Sequence, residues 1–118
     1  MCVTASVLVL EDQAVIRSLV KRLLSHRGYV VVEAPDLAAA SAALNDGKVF
    51  DLVIADSNLP DGDGVVFARQ AQHLGQVRHV IVTSGEPIDA RWPGLDAVLP
   101  KPFSADTLVK TVQTALAE

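Results

Sequence analysis

The chain has 118 residues, half of them hydrophobic and 20% charged, enough for one buried core without metal or disulfide staples. A formal charge of -4, with no basic stripe or aromatic platform, argues against a nucleic-acid or anionic-membrane surface. The single cysteine, Cys2, cannot form an internal disulfide, and no apolar run approaches a membrane span or a signal segment, so the expected location is the cytoplasm.

Ser6 to Leu10 (SVLVL) is the first apolar run and predicts a strand, stopped by Glu11-Asp12. Val15, Ile16, Leu19, Val20, Leu23 and Leu24 then recur at helical spacing, with Arg17, Lys21 and Arg22 between them, up to Gly28. Tyr29 to Val32 predicts a second strand, rich in β-branched residues. An alanine-rich helix follows, with Asp36 as its N-cap, Leu44 near its end and Asn45-Asp46-Gly47 as its stop.

Leu52 to Ala55 is a short continuous apolar run, expected as a strand buried on both faces, and Asp56 follows it at once. Pro60, Gly62 and Gly64 break the chain next, with Asp61 and Asp63 as turn and cap residues. Gly64 to Leu74 predicts a helix with Phe67, Ala71 and Leu74 inward. Val80 to Val82 predicts a fourth strand that delivers Thr83 and Ser84. Pro87, Pro93 and Gly94 leave no room for a long helix before the short fifth strand, Ala97 to Leu99. After Pro100-Lys101-Pro102, Ser104 caps a last helix with Leu108, Val112, Ala115 and Leu116 inward.

Five alternations of strand and helix predict an α/β fold, a doubly wound parallel sheet in the flavodoxin-like order 2-1-3-4-5. In that order the first and third strands are neighbours at the switch point, where ligands bind at carboxyl ends. Those ends carry Glu11-Asp12 and Asp56.

Three carboxylates that close repel one another unless a cation sits among them, and a hard divalent ion such as Mg²⁺ suits oxygen ligands. Taken singly, Asp56 could cap a turn, Asp12 could cap the first helix, and Glu11 could be a solvated charge. Ser84 could bond local backbone, and Lys101 could be an ordinary surface lysine. Together they supply a carboxylate nucleophile, a hydroxyl, a cation and a metal site, the set that a transferred phosphoryl group needs.

Glu11-Asp12, Asp56 within DSNLPDGDG, Ser84 after VIVT, and Lys101-Pro102-Phe103 resemble the response-regulator receiver domain, over essentially the whole chain. The resemblance implies that residues 1–118 form one receiver domain with no output domain, a signalling switch rather than an enzyme. It implies that Asp56 accepts a phosphoryl group from a histidine of a sensor kinase or phosphotransfer protein. It implies Mg²⁺ held by Asp12, Glu11 through water, Asp56 and the backbone carbonyl of Asn58. Lys101 and Ser84 would hold the phosphoryl group, with Ser57 and Gly85 beside it and Thr83 as a rival hydroxyl. The Lys101–Pro102 peptide would be cis. Asn58, with Glu86 two residues after Ser84, resembles the pairing of short-lived regulators.

Two departures stand out. Val98 takes the place of the family's usual aromatic residue, and the stretch from Ser84 to Lys101 is short, at the expense of the fourth helix. His26, His73 and His79 lack metal-site spacing and are expected at helix or strand ends. Trp92 is expected over the shortened loop or against a partner.

Three rival functions make different demands on these positions. A Mg²⁺-dependent haloacid-dehalogenase-like phosphohydrolase would want a second aspartate where Asn58 stands. A flavin mononucleotide carrier would want a Ser/Thr/Gly-rich loop in place of Glu11-Asp12. A docking module that is never phosphorylated would not need the complete site. The receiver could also belong to a larger regulator or a hybrid kinase.

Overall fold

Strand β1 (Ser6–Leu10) shows why the central sheet is buried on both sides: Val7 and Val9 enter one hydrophobic cluster, Leu8 and Leu10 the other. The computed structural model describes residues 4–85 and 95–117. Around β1 stand β2 (Val30–Ala34), β3 (Phe50–Asp56), β6 (Val77–Ser84) and β7 (Ala97–Pro100). They form a five-stranded sheet in the order β2-β1-β3-β6-β7, and every pairing is parallel. The remaining two strands, β4 (Asn58–Leu59) and β5 (Gly62–Asp63), make a separate two-residue hairpin. With that hairpin set aside, the order is the expected 2-1-3-4-5.

Four helices cover the two faces among the described residues. Helices α1 (Ala14–His26) and α4 (Ala105–Leu116) bury Val20, Leu24, Leu108, Val112 and Ala115 against Val9, Ile54, Ile81 and Leu99. Helices α2 (Leu37–Leu44) and α3 (Gly64–His73) bury Ala40, Leu44, Val65, Ala68 and Ala71 against Leu10, Val53, Ala55 and Val82. Removing a core leucine such as Leu24 or Leu108 would cost about 3 kcal/mol.

Three of the helix starts carry the expected chemistry. Asp36 accepts from the Ala39 N–H at 2.8 Å, Ser104 from the Thr107 N–H at 3.1 Å, and Asp63 from the Val65 N–H at 2.8 Å. The first helix differs: Gln13 is its N-cap residue and makes no side-chain cap bond, so Asp12 is not a cap. The helix ends where Arg27 leads into Gly28, whose φ of +91° suits a residue without a side chain.

Several boundaries move. The second strand extends to Ala34 rather than stopping at Val32, because Glu33 pairs with Arg17 and Lys21 of α1. The third strand begins at Phe50, and β6 begins at Val77 with exposed Arg78 in it. His79 lies within that strand, its Nδ1 3.1 Å from Asp96 Oδ1, whereas His26 and His73 end α1 and α3. Leu74 is not inward but 63% exposed, since it follows the last turn of α3 and the buried line runs Val65, Ala68, Ala71. The shortened or missing fourth helix, Glu86 and Trp92 lie outside the described residues.

Candidate functional site

The register of the sheet decides what meets at its carboxyl edge. Leu10 pairs with both Ala34 and Ala55, so the residues just beyond, Glu11-Asp12 and Asp56, leave neighbouring strands at the same level. Carboxylate oxygens of Glu11, Asp12 and Asp56 lie within 4.8 Å of one another. Glu11 is only 4% exposed and Asp56 6%, while Asp12 is exposed and its carboxylate has no partner among the described residues. Such an all-oxygen donor set, with one carboxylate uncommitted, fits a hard divalent cation.

Lys101 enters from the end of β7. Its Nζ stands 2.8 Å from Glu11 Oε1 and 3.1 Å from Asp56 Oδ2, so it is no surface lysine. The backbone aims it, since the Lys101 N–H donates to the Ser84 carbonyl at 2.7 Å and the Lys101–Pro102 peptide is cis. Burial works to lower the ammonium's pKa, but hydrogen bonds and charges from Glu11 and Asp56 outweigh it and hold it above its ordinary value. Burial also pushes the Glu11 carboxyl up, against the opposing pull of Lys101 and of the Gln13 N–H, which donates to Oε2 at 3.1 Å.

Asp56 accepts a second hydrogen bond, from the Asn58 N–H to Oδ1 at 3.2 Å. The loop beyond is set by close approach: a Cβ at Gly64 would overlap the Asp56 carbonyl oxygen, so only glycine fits. Ser57 is held by its N–H to the Thr83 carbonyl at 2.9 Å, and its hydroxyl donates to the Ser84 hydroxyl at 3.1 Å.

Asp12, Asp56, Ser57, Asn58, Ser84, Gly85 and Lys101 all line one cleft of about 790 Å³. Glu11 is buried behind it, in contact with Lys101. Thr83, though buried, is not in the lining, so of Thr83 and Ser84 it is Ser84 that reaches the cleft, beside Ser57. Two further lining residues, Gln13 and Asp63, are not among the expected site residues, nor is Arg17, whose Nη1 donates to the Glu11 carbonyl at 2.8 Å. A polar residue in the first turn after a strand-end acidic pair was the available signal for Gln13 and Arg17. Spacing alone gives Arg17 only a place among the polar positions of the first helix.

Chemically, the cleft offers a carboxylate that can act as a nucleophile, flanked by the Lys101 cation, a backbone N–H, hydroxyls and a carboxylate cluster of the kind that fits a cation. No second aspartate stands two residues after Asp56, where a haloacid-dehalogenase-like phosphohydrolase would have one. No helix among the described residues is long and apolar enough to cross a membrane.

Comparison with known proteins agrees with this geometry. Residues 7–113 match the family described as the response regulator receiver domain. The chain is 32% identical to the phosphate regulon transcriptional regulatory protein PhoB of Escherichia coli strain K12, over 93% of the chain and 51% of PhoB. It is 34% identical to the sensor kinase CckA of Brucella abortus strain 2308, over 96% of the chain and 13% of that kinase. The chain thus spans about half the length of PhoB and a small part of CckA. Among solved structures, the chemotaxis response regulator CheY4 of Vibrio cholerae superposes with a TM-score of 0.85 at 30% identity, covering 97% of this chain and 100% of that one. The receiver domain of the hybrid histidine kinase CckA gives 0.81 at 33% identity, covering 95% of this chain and 99% of that one. The carboxyl-edge cluster and the match over residues 7–113 lead to one assignment: the chain belongs to the response regulator receiver domain family.

Proposed function

We propose that this receiver accepts a phosphoryl group on Asp56 from the phosphohistidine of a sensor kinase or phosphotransfer protein, with Mg²⁺, and thereby switches a partner-binding surface. The observation that carries the reading is the convergence of Glu11, Asp12 and Asp56 within 4.8 Å beside Lys101. An Asp56 carboxylate oxygen attacks phosphorus, an O–P bond forms, and the N–P bond to the donor histidine breaks with its electron pair returning to nitrogen. Asp12, Asp56, the Asn58 carbonyl and, through water, Glu11 are the residues to hold Mg²⁺. When bound, the ion neutralises charge gathering on the phosphoryl oxygens. Lys101 pairs with one of those oxygens, and Ser84 donates to another beside Ser57 and Gly85. The domain acts as a switch with self-phosphorylation and self-dephosphorylation only, and Asn58 on the cleft tunes the lifetime.

Similarity to a sensor kinase as well as to a transcriptional regulator supports a histidine-bearing protein as the donor. Intact mass after incubation with a small phosphodonor tests the reading. One phosphate should add in Mg²⁺, none in chelator, and none to Asp56→Asn. Unchanged labelling of that variant would overturn it.

A further inference from the structure

Glu11 is held at every polar group it has. Its N–H donates to the Ala34 carbonyl at 3.1 Å, its carboxylate takes bonds from Gln13 and Lys101, and its carbonyl takes the Arg17 guanidinium at 2.8 Å. Only the last of these acts on the peptide that leads into Asp12. Arg17 is itself braced, with Nε 3.4 Å from Glu33 Oε1 on β2, while the other oxygen of Glu33 faces Lys21 Nζ at 3.3 Å. Asp12, on the far side of the clamped peptide, is the exposed member of the carboxylate cluster and has no partner of its own among the described residues. Nothing on its side chain fixes its direction, which leaves its backbone, held after Asp12 by the Gln13 N–H on Glu11 Oε2 and before it by Arg17 on the Glu11 carbonyl.

We infer that Arg17 is a positioning residue for the metal site: by gripping the Glu11 carbonyl it fixes the Glu11–Asp12 peptide and so aims the Asp12 carboxylate into the cluster. This rests on the Mg²⁺ reading above. Outer partners that orient a ligand change metal affinity strongly although they never touch the ion. The alternative view, that Arg17 is one more positive charge near the site, makes the opposite prediction. A cation beside three carboxylates repels Mg²⁺, so deleting it would tighten binding.

The sign of the effect therefore decides. Mg²⁺ is titrated calorimetrically into the full chain, wild type against Arg17→Met, which keeps the apolar stem. Lys21→Met serves as a control that removes a cation from the same Glu33 without touching Glu11. Weakening of about tenfold in Arg17→Met, with no weakening in Lys21→Met, supports positioning. Unchanged or tighter binding in Arg17→Met overturns it. So does equal weakening in both variants. A second readout needs no metal: the Asp12 backbone amide resonance should move in Arg17→Met and stay in place in Lys21→Met, and an unmoved resonance in Arg17→Met counts against the clamp. Should wild type bind no Mg²⁺ at all, the failure lies with the proposed function instead, and the metal-free resonance still judges the clamp.

Discussion

The hydroxyls of Ser57 and Ser84 lie 3.1 Å apart, joining the residue after Asp56 to the last residue of β6. A partly buried hydrogen bond of this kind contributes on the order of 1 kcal/mol net. Ser57→Ala and Ser84→Ala should therefore be non-additive, with a coupling of about 1 kcal/mol in a urea double-mutant cycle. Additive losses would mean that the two hydroxyls do not depend on each other.

Lys101 stands between two carboxylates that are almost wholly buried. Lys101→Met leaves both without their cation and should destabilise the metal-free protein by about 3 kcal/mol. On the proposed Mg²⁺ reading, the same change removes a competitor for the ion. Mg²⁺ should thus raise the melting temperature more in the variant than in wild type, and an equal rise in both would show that the lysine does not oppose the ion.

Glu11 gives the stability a pH dependence of known sign. Burial raises its carboxyl above the ordinary 4.5, so between those two values the folded chain holds a proton that the unfolded chain has released. Stability from this protonation is complete below about 4.5 and is lost as pH rises through the folded value. In chelator, the stability of wild type minus that of Glu11→Gln should fall as pH climbs from 4.5 toward neutrality. A difference that stays level or grows would contradict the burial argument.

Gly64 meets the Asp56 carbonyl oxygen where a Cβ would stand. Gly64→Ala must displace the backbone of Asp56, the proposed acceptor, at a cost of about 3 kcal/mol or more. Phosphodonor labelling of whatever fraction still folds should be slower than in wild type. Wild-type stability and labelling together would show that the loop has room to yield.

The sequence made the sheet legible because a two-sided buried strand needs an unbroken apolar run, as in Leu52 to Ala55 and Val80 to Val82. It under-read the start of β6 and the end of β2, since Arg78 and Glu33 look like loop residues until their outward direction is known. Cleft residues at strand ends were legible for the same reason: Asp56 follows its run directly, and Ser84 and Lys101 follow theirs after one intervening residue. Gln13, Asp63 and Arg17 were not, because they act through backbone amides and carbonyls, and side-chain spacing does not register those. Leu74 went wrong as helical periodicity was carried past the last turn.

The start of α2 belongs partly to another segment. Its first four amides are all answered: Leu37 and Ala38 by the Asp61 carboxylate at 3.0 and 3.2 Å, Ala39 by the Asp36 side chain and Ala40 by the Asp36 carbonyl. Half of that helix cap is therefore written in the loop after Asp56, 23 or more positions downstream. Loop and helix cannot be exchanged between proteins as separate modules. A chimera that imported residues 56–64 without an acidic side chain at 61 would keep every atom of the cleft described above and still leave two amides of α2 to the solvent.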